Sequence, residues 1–334
     1  MSIPFFRAVR CLTPMAILLH YRSWHGAFRS SLWSVWPIAR VALAGLLRSG
    51  LFWVLYAFGL LLFLMFFFGS FLLDWIEAQL SGGNVQIAQI DPTRVSRTLR
   101  NLIRILNGSQ DTFAYFFIYQ GGMLMIILAL TGAMLVGSDF VRRSASFYLA
   151  KPIHRWHYIL GKCLATGVVI NLVTTLPALL LYAQHAMGDW DYLVNVDYFT
   201  QNNLGRGPAS WELLLGILGF AMVLTCFFSI ILVTVAVWMR RTMPIIMVWA
   251  SLFMFLRLLS QALVDRLHYG PLWRLIDLWN SACLLGFACL GFDIEQIWPA
   301  PQPSYWEAGL SLLGVAIVCL IYLDRRMRSV EIVS

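Results

Sequence analysis

The sequence predicts an all-α polytopic membrane protein, and three observations carry that prediction. Of its 334 residues, 60% are hydrophobic and only 12% charged, about half the charged share of a soluble chain. The mean hydropathy is +0.74. Apolar runs near 20 residues long recur along the chain, each sufficient for a helix to cross about 30 Å of hydrocarbon. The runs are continuous rather than alternating, which excludes a β-barrel.

Residues 1–50 carry Arg7, Arg10, Arg22, Arg29, Arg40 and Arg48 and no acid, interleaved with Trp24, Trp33 and Trp36. Bases and interfacial aromatics together predict helices in the headgroup layer. Between Pro37 and the first apolar run, Ile38 to Leu47 can form one apolar face, an amphipathic elbow. The N-terminus has no short apolar core followed by a small-residue cleavage site, so no removable signal peptide is expected.

The first span is expected over 51–73, where no charge occurs, with Asp74 and Glu77 ending it. A loop then holds an amphipathic helix over Thr93 to Leu106. Its Arg94, Arg97, Arg100 and Arg104 share one face, either a solvated surface or a stripe attracting an anionic group. The second span covers 112–136 and the third 163–186, bent by Pro177, which removes one helical hydrogen bond. The fourth covers 213–238 and the fifth 245–264. Arg257 lies within the fifth. A mid-membrane arginine costs a few kcal/mol and should face protein or water, so it either lines a pathway or reaches outward and pairs with Asp265. Residues 275–292 are apolar but broken by Asp277, Asn280 and Gly291, which predicts a re-entrant helical pair before the last span, 305–323.

Between the second and third spans lies the segment Gly137 to Lys162. It carries Arg142, Arg143, Lys151, Arg155 and Lys162 against one acid, Asp139, so it belongs on the membrane surface. Arg143 to Ala150 has no breaker and should be a short surface helix. Lys151-Pro152 stops it, and a second helix begins near His154 and runs into the third span. With this segment, residues 239–244 and both termini placed in the cytoplasm, 16 of the 24 bases but only three of the 16 acids lie there, as the positive-inside rule requires.

This segment resembles the intracellular loop of the permease subunits of type-2 ABC export transporters. The matching residues are Asp139, Tyr148, Leu149, Lys151, Pro152, Ile153, Arg155, Tyr158, Gly161 and Lys162. The place after the acid where that family carries glycine falls at Ser144 or Ala145. The ending, a span followed by Arg325, Arg326 and Arg328 and then Val330-Glu331, is also similar. The resemblance implies a cytoplasmic coupling helix that docks on a separate ABC ATPase subunit, with Asp139, Arg142, Arg143, Tyr148, Lys151, Pro152, Arg155, Tyr158, Gly161 and Lys162 as coupling residues. It also implies a membrane-spanning permease domain over 51–334, a second permease copy in a homodimer or heterodimer, and a place in a bacterial inner (plasma) membrane. The cargo is not specified by any residue pattern.

No GxxxxGK[ST] motif occurs, so the chain does not cradle nucleotide phosphates. ATP and magnesium are expected on the partner ATPase, and no cofactor in this chain. HExxH, GxSxG and paired CxxC motifs are absent, and no catalytic residue is assigned. The six cysteines read as small buried hydrophobes. His154 and His157 stand three apart without a third ligand, so no metal site is assigned. The net charge of +8 gathers at membrane ends, which speaks for lipid headgroups and against nucleic acid. The function expected is an ATP-driven exporter subunit. The alternative is a permease-like protein that transmits force to an extracytoplasmic partner, or a membrane scaffold.

Overall fold

The computed structural model describes residues 33, 35–81, 110–137, 155–188, 211–239, 241–292 and 301–331. Among these every regular element is helical and none is a strand. Six helices are long and apolar enough to cross a membrane: Gly50–Gly69, Gln110–Gly132, Trp156–Ala186, Trp211–Met239, Thr242–Arg266 and Tyr305–Met327. All six stand where the apolar runs predict them. The Arg94–Arg104 stripe and the surface helix over Arg143 to Ala150 lie outside the described residues.

Helix α1 (Val35–Leu47) occupies the predicted elbow stretch. Pro37 sits in its first turn, where a missing N–H costs nothing because that donor has no intrahelical acceptor. Ile38, Ala39 and Leu46 are buried on one side while Arg40 is exposed on the other. A two-residue joint then leads into α2 (Gly50–Ser81). At this joint the Ser49 hydroxyl donates to the Leu46 carbonyl at 2.8 Å and accepts from the Phe52 N–H at 3.4 Å. The Trp53 indole donates to the Leu47 carbonyl at 2.8 Å. The end of one helix and the start of the next are thereby satisfied within a few residues.

Helix α2 differs from expectation. It continues past Asp74 and Glu77 to Ser81, because acids interrupt hydropathy without breaking a helix, and no proline or glycine follows in that turn. Helix α3 (Gln110–Gly132) is the second span and widens into a π-helical turn over Ala133–Gly137. The third span is α4 (Arg155–Val173) followed by α5 (Thr175–Gly188). Its helix begins at Arg155, as expected of one starting near His154 and running into the span. The break between the two pieces lies one turn before Pro177, as expected from the lost backbone donor.

Helix α6 (Trp211–Met239) is the fourth span and the central post, with 67% of its apolar window buried, against 17% for the fifth and sixth spans. The fifth span joins α7 (Thr242–Ala250), a π-helical turn Ser251–Phe255, α8 (Leu256–Gln261) and a second π-helical turn Ala262–Arg266. Phe117 of α3 stacks on Phe220 of α6 with ring centres 4.2 Å apart and planes 8° from parallel.

Of the predicted re-entrant pair, the described residues contain a 3₁₀ turn, Pro271–Ile276, and one 13-residue helix, α9 (Leu278–Leu290). Thirteen residues rise about 20 Å, too short to cross. Both ends of α9 are well built. Asp277 caps its start, accepting from the Trp279 and Asn280 N–H groups at 3.0 and 3.2 Å. Gly291 ends it at φ 66°, in the left-handed region that favours glycine. There the N–H of Gly291 donates to the Ala288 carbonyl and that of Phe292 to the Phe287 carbonyl, while the Phe292 ring packs on Phe287. That is a Schellman ending with its apolar contact. Asp277→Ala should therefore cost about 1–2 kcal/mol, read as a lower melting temperature in detergent, and Asp277→Asn should cost less because it keeps the acceptor. The last helix, α10 (Tyr305–Glu331), begins in a reciprocal cap: Ser304 N–H donates to Glu307 Oε2 at 2.8 Å and Glu307 N–H to Ser304 Oγ at 3.3 Å.

Candidate functional site

The segment resembling a coupling loop joins the second span, described to Gly137, to α4, described from Arg155. Asp139, Arg142, Arg143, Tyr148, Lys151 and Pro152 lie outside the described residues, and Arg155 is described only as the first residue of α4. Its two ends can be built from the residues upward.

At the returning end, helical spacing puts Tyr158, Gly161, Lys162 and Ala165 on one face of α4, and that face is turned into the protein. Tyr158 is 1% exposed and Lys162 2%. The Lys162 ammonium donates to the Leu135 carbonyl at 2.9 Å and lies 5.8 Å from the centre of the Tyr158 ring. Leu135 belongs to the π-helical turn Ala133–Gly137 that continues the second span. The carbonyl and the ring both stabilise this buried ammonium.

At Gly161, α4 passes close against α1. A Cβ there would lie 2.9 Å from Ile38 and 3.1 Å from the Val35 carbonyl oxygen. At the other end, a Cβ on Gly137 would meet the Ile245 methyl at 2.7 Å, which places the close of the second span on the start of the fifth. The structure thus gathers Tyr158, Gly161 and Lys162 into one junction with α1. These three are packing and hydrogen-bonding residues within the chain, not an outward-facing surface. Sequence reasoning missed their partner, a backbone carbonyl, which carries no signal in residue identity.

Arg257 is exposed on α8. Its expected partner is taken: Asp265 pairs with Arg274 at 2.6 Å. Eight helical residues separate Arg257 from Asp265 by roughly 12 Å, whereas the 3₁₀ turn folds the buried Arg274 directly back. The charges of Arg257 and Arg274 both act on the Asp277 carboxylate, so α9 begins among four charged groups that balance. The sequence did carry a signal for that cap, an aspartate directly before an apolar run.

A second polar feature lies inside the membrane-length helices. Pro177 has no N–H to give the Val173 carbonyl, four residues earlier. The Gln120 side chain of α3 supplies the missing donor at 2.8 Å, and Gln120 is buried. Nearby, Asn171 donates to Thr225 Oγ1 at 3.0 Å and accepts from the Thr175 hydroxyl at 2.7 Å. A glutamine in an apolar run and a proline four residues past a carbonyl were both visible in the sequence; their pairing was not. Among the described residues, no three His, Cys, Asp or Glu side chains converge to hold a metal.

Six membrane-length helices among the described residues define an integral membrane protein. A family model described as ABC-2 family transporter protein matches residues 36–270. The chain belongs to that family and is a transmembrane subunit rather than the catalyst. Subunits of this kind normally work with ABC ATPase subunits. The matched region takes in α1, five of the six spans and the segment between the second and third. No curated protein and no solved structure matches the chain.

Proposed function

We propose that this chain is the permease half of an ATP-driven exporter, coupled through residues 137–162 to a separate ATPase. The observation that carries the reading is the junction at the two ends of that segment, where Lys162 donates to the Leu135 carbonyl and Gly161 meets α1. A force applied to the segment reaches the third span without a flexible linker, since α4 runs unbroken from Arg155 to Val173.

Nucleotide and magnesium belong to the partner, and this chain supplies the lever. Arg142, Arg143, Lys151 and Arg155 meet acidic groups on the ATPase, with complementary charge steering the encounter and fixing its register. Asp139, Tyr148 and Pro152 shape the turn and helix that present them. Tyr158, Gly161 and Lys162 carry the movement inward. Six spans make half a pathway, so a second copy or a close homologue completes it. Both termini and the segment lie on the cytoplasmic side of a bacterial inner membrane, with anionic lipid headgroups against the basic N-terminal region. Arg257, roughly 22 Å along the fifth span from Thr242, is the candidate pathway residue, because it is exposed on a span that otherwise presents Met247, Met254 and Leu258.

Affinity purification from native membranes with mass spectrometry tests the reading. The expected result is a stoichiometric ABC ATPase that is lost with Arg155→Glu or Lys151→Glu. Recovery of the intact protein without any ATPase in mild detergent overturns it.

A further inference from the structure

The Lys162 junction has a consequence beyond simple attachment. The segment proposed to meet the ATPase runs from after Gly137 to Arg155, and the hydrogen bond from Lys162 to the Leu135 carbonyl ties the helices on either side of it. A loop whose two stems are independent can absorb a push by spreading them. A loop whose stems are tied cannot. The stems are also braced from outside: Gly161 against Ile38 and the Val35 carbonyl of α1, Gly137 against Ile245 at the start of the fifth span.

We propose that Lys162 is a positioning residue for energy coupling: it clamps the π-helical end of the second span to the start of the third, so that both stems move as one body together with α1. This deepens the proposed function and rests on its reading of residues 137–162. The chemistry explains why the residue is a lysine. An apolar side chain would fill the same buried volume at no desolvation cost, but only a long donor reaches the Leu135 carbonyl. The methylene stem packs beside Tyr158 while the ammonium makes the bond. A direct ATPase contact would require an accessible head group, and Lys162 is 2% exposed.

The test uses the full chain with its co-purified ATPase in nanodiscs, as wild type, Lys162→Met and Lys162→Arg. Spin labels are placed at Met134 and Leu160, exposed positions on the two stems. In the wild-type background one narrow distance is expected, unchanged when the complex is trapped with nucleotide. Lys162→Met should capture the ATPase as well as wild type, broaden that distance, and reduce the permease-dependent change in ATP hydrolysis by about tenfold. Lys162→Arg, which keeps charge and donor, should restore both.

A wild-type distance that shifts on trapping overturns the clamp, and this measurement stands even if Lys162→Met does not fold. So does a Met variant that matches wild type in distance and coupling. Loss of ATPase capture in the Met variant would make Lys162 a docking residue instead. If the wild type brings down no ATPase, the exporter reading fails. The clamp is then judged by the label distance of the permease alone, where broadening by Lys162→Met supports it and an unchanged distance rejects it.

Discussion

Gly216→Val should destabilise the protein by about 3 kcal/mol or prevent its accumulation in the membrane, the largest effect expected of any single small-to-larger change in the bundle. Gly216 lies on α6 where α9 crosses it. A Cβ there would stand 2.8 Å from the Cys289 carbonyl oxygen and 2.9 Å from the Leu290 Cα. Both are backbone atoms of a helix fixed at each end by a cap, so neither can swing aside as a side-chain tip would. The helices must separate instead. Overpacking of a close-packed interior costs about 1–3 kcal/mol even where side chains can yield, and small residues are what allow membrane helices to approach. Gly121, which faces the Trp279 ring with a would-be Cβ at 2.1 Å, should be nearly as sensitive. Gly314 on α10 has no atom within 4 Å and is the control: Gly314→Ala should be neutral or slightly stabilising through helix propensity. Fluorescence-detected size exclusion after a temperature series reads all three. A Gly216→Val protein melting with the wild type would mean that α9 does not pack on α6 as described.

Gln120→Leu is the second. Its donor satisfies the carbonyl that Pro177 leaves free, and without it a buried acceptor has no partner. The cost should be about 1–2 kcal/mol, at the upper end of what hydrogen bonds between membrane helices contribute. Magnitude alone would not identify the mechanism, since the substitution also changes packing. The double mutant does. Pro177→Ala returns an N–H to the helix at the residue whose donor would serve Val173, so in that background Gln120→Leu should cost markedly less. A coupling energy near zero across the cycle would refute the assignment of Gln120 to the kink. The measurement is again thermal stability in one detergent, with all four proteins side by side.

Much of the architecture was legible along the chain. Hydrocarbon thickness sets a span near 20 residues, and the six apolar runs announced the six helices to within a turn or two at most ends. A helix was expected to begin near His154 and run into the third span through Lys162, and α4 does begin at Arg155. In the structure the charge of Lys162 is met by a carbonyl, and the helix passes straight through. The helix of the first span continues past Asp74 to Ser81, while its membrane-length apolar stretch ends at Gly69. The Pro177 break was visible from one residue. The elbow stretch was visible from Pro37 and an amphipathic face.

The coupling residues divided differently. Composition picked out Gly137 to Lys162, since five bases cannot lie in hydrocarbon, but it treated that stretch as a single surface. The structure shows its last turn facing inward. Arg257 was visible as a charge in an apolar span, yet its neighbour was not: Asp265 seemed available nearby in sequence and is held by Arg274.

The sequence by itself therefore determined the class of protein, the number and place of its spans and the basic segment between the second and third, because these follow from local hydropathy, charge and backbone chemistry. Only the tertiary structure decided that Lys162 holds Leu135 across 27 residues and that Gln120 holds Val173 across 53. Both acceptors are backbone carbonyls, which every residue carries; Pro177 marks the Val173 carbonyl as lacking a helical donor, but no side-chain pattern marks which distant side chain meets either one.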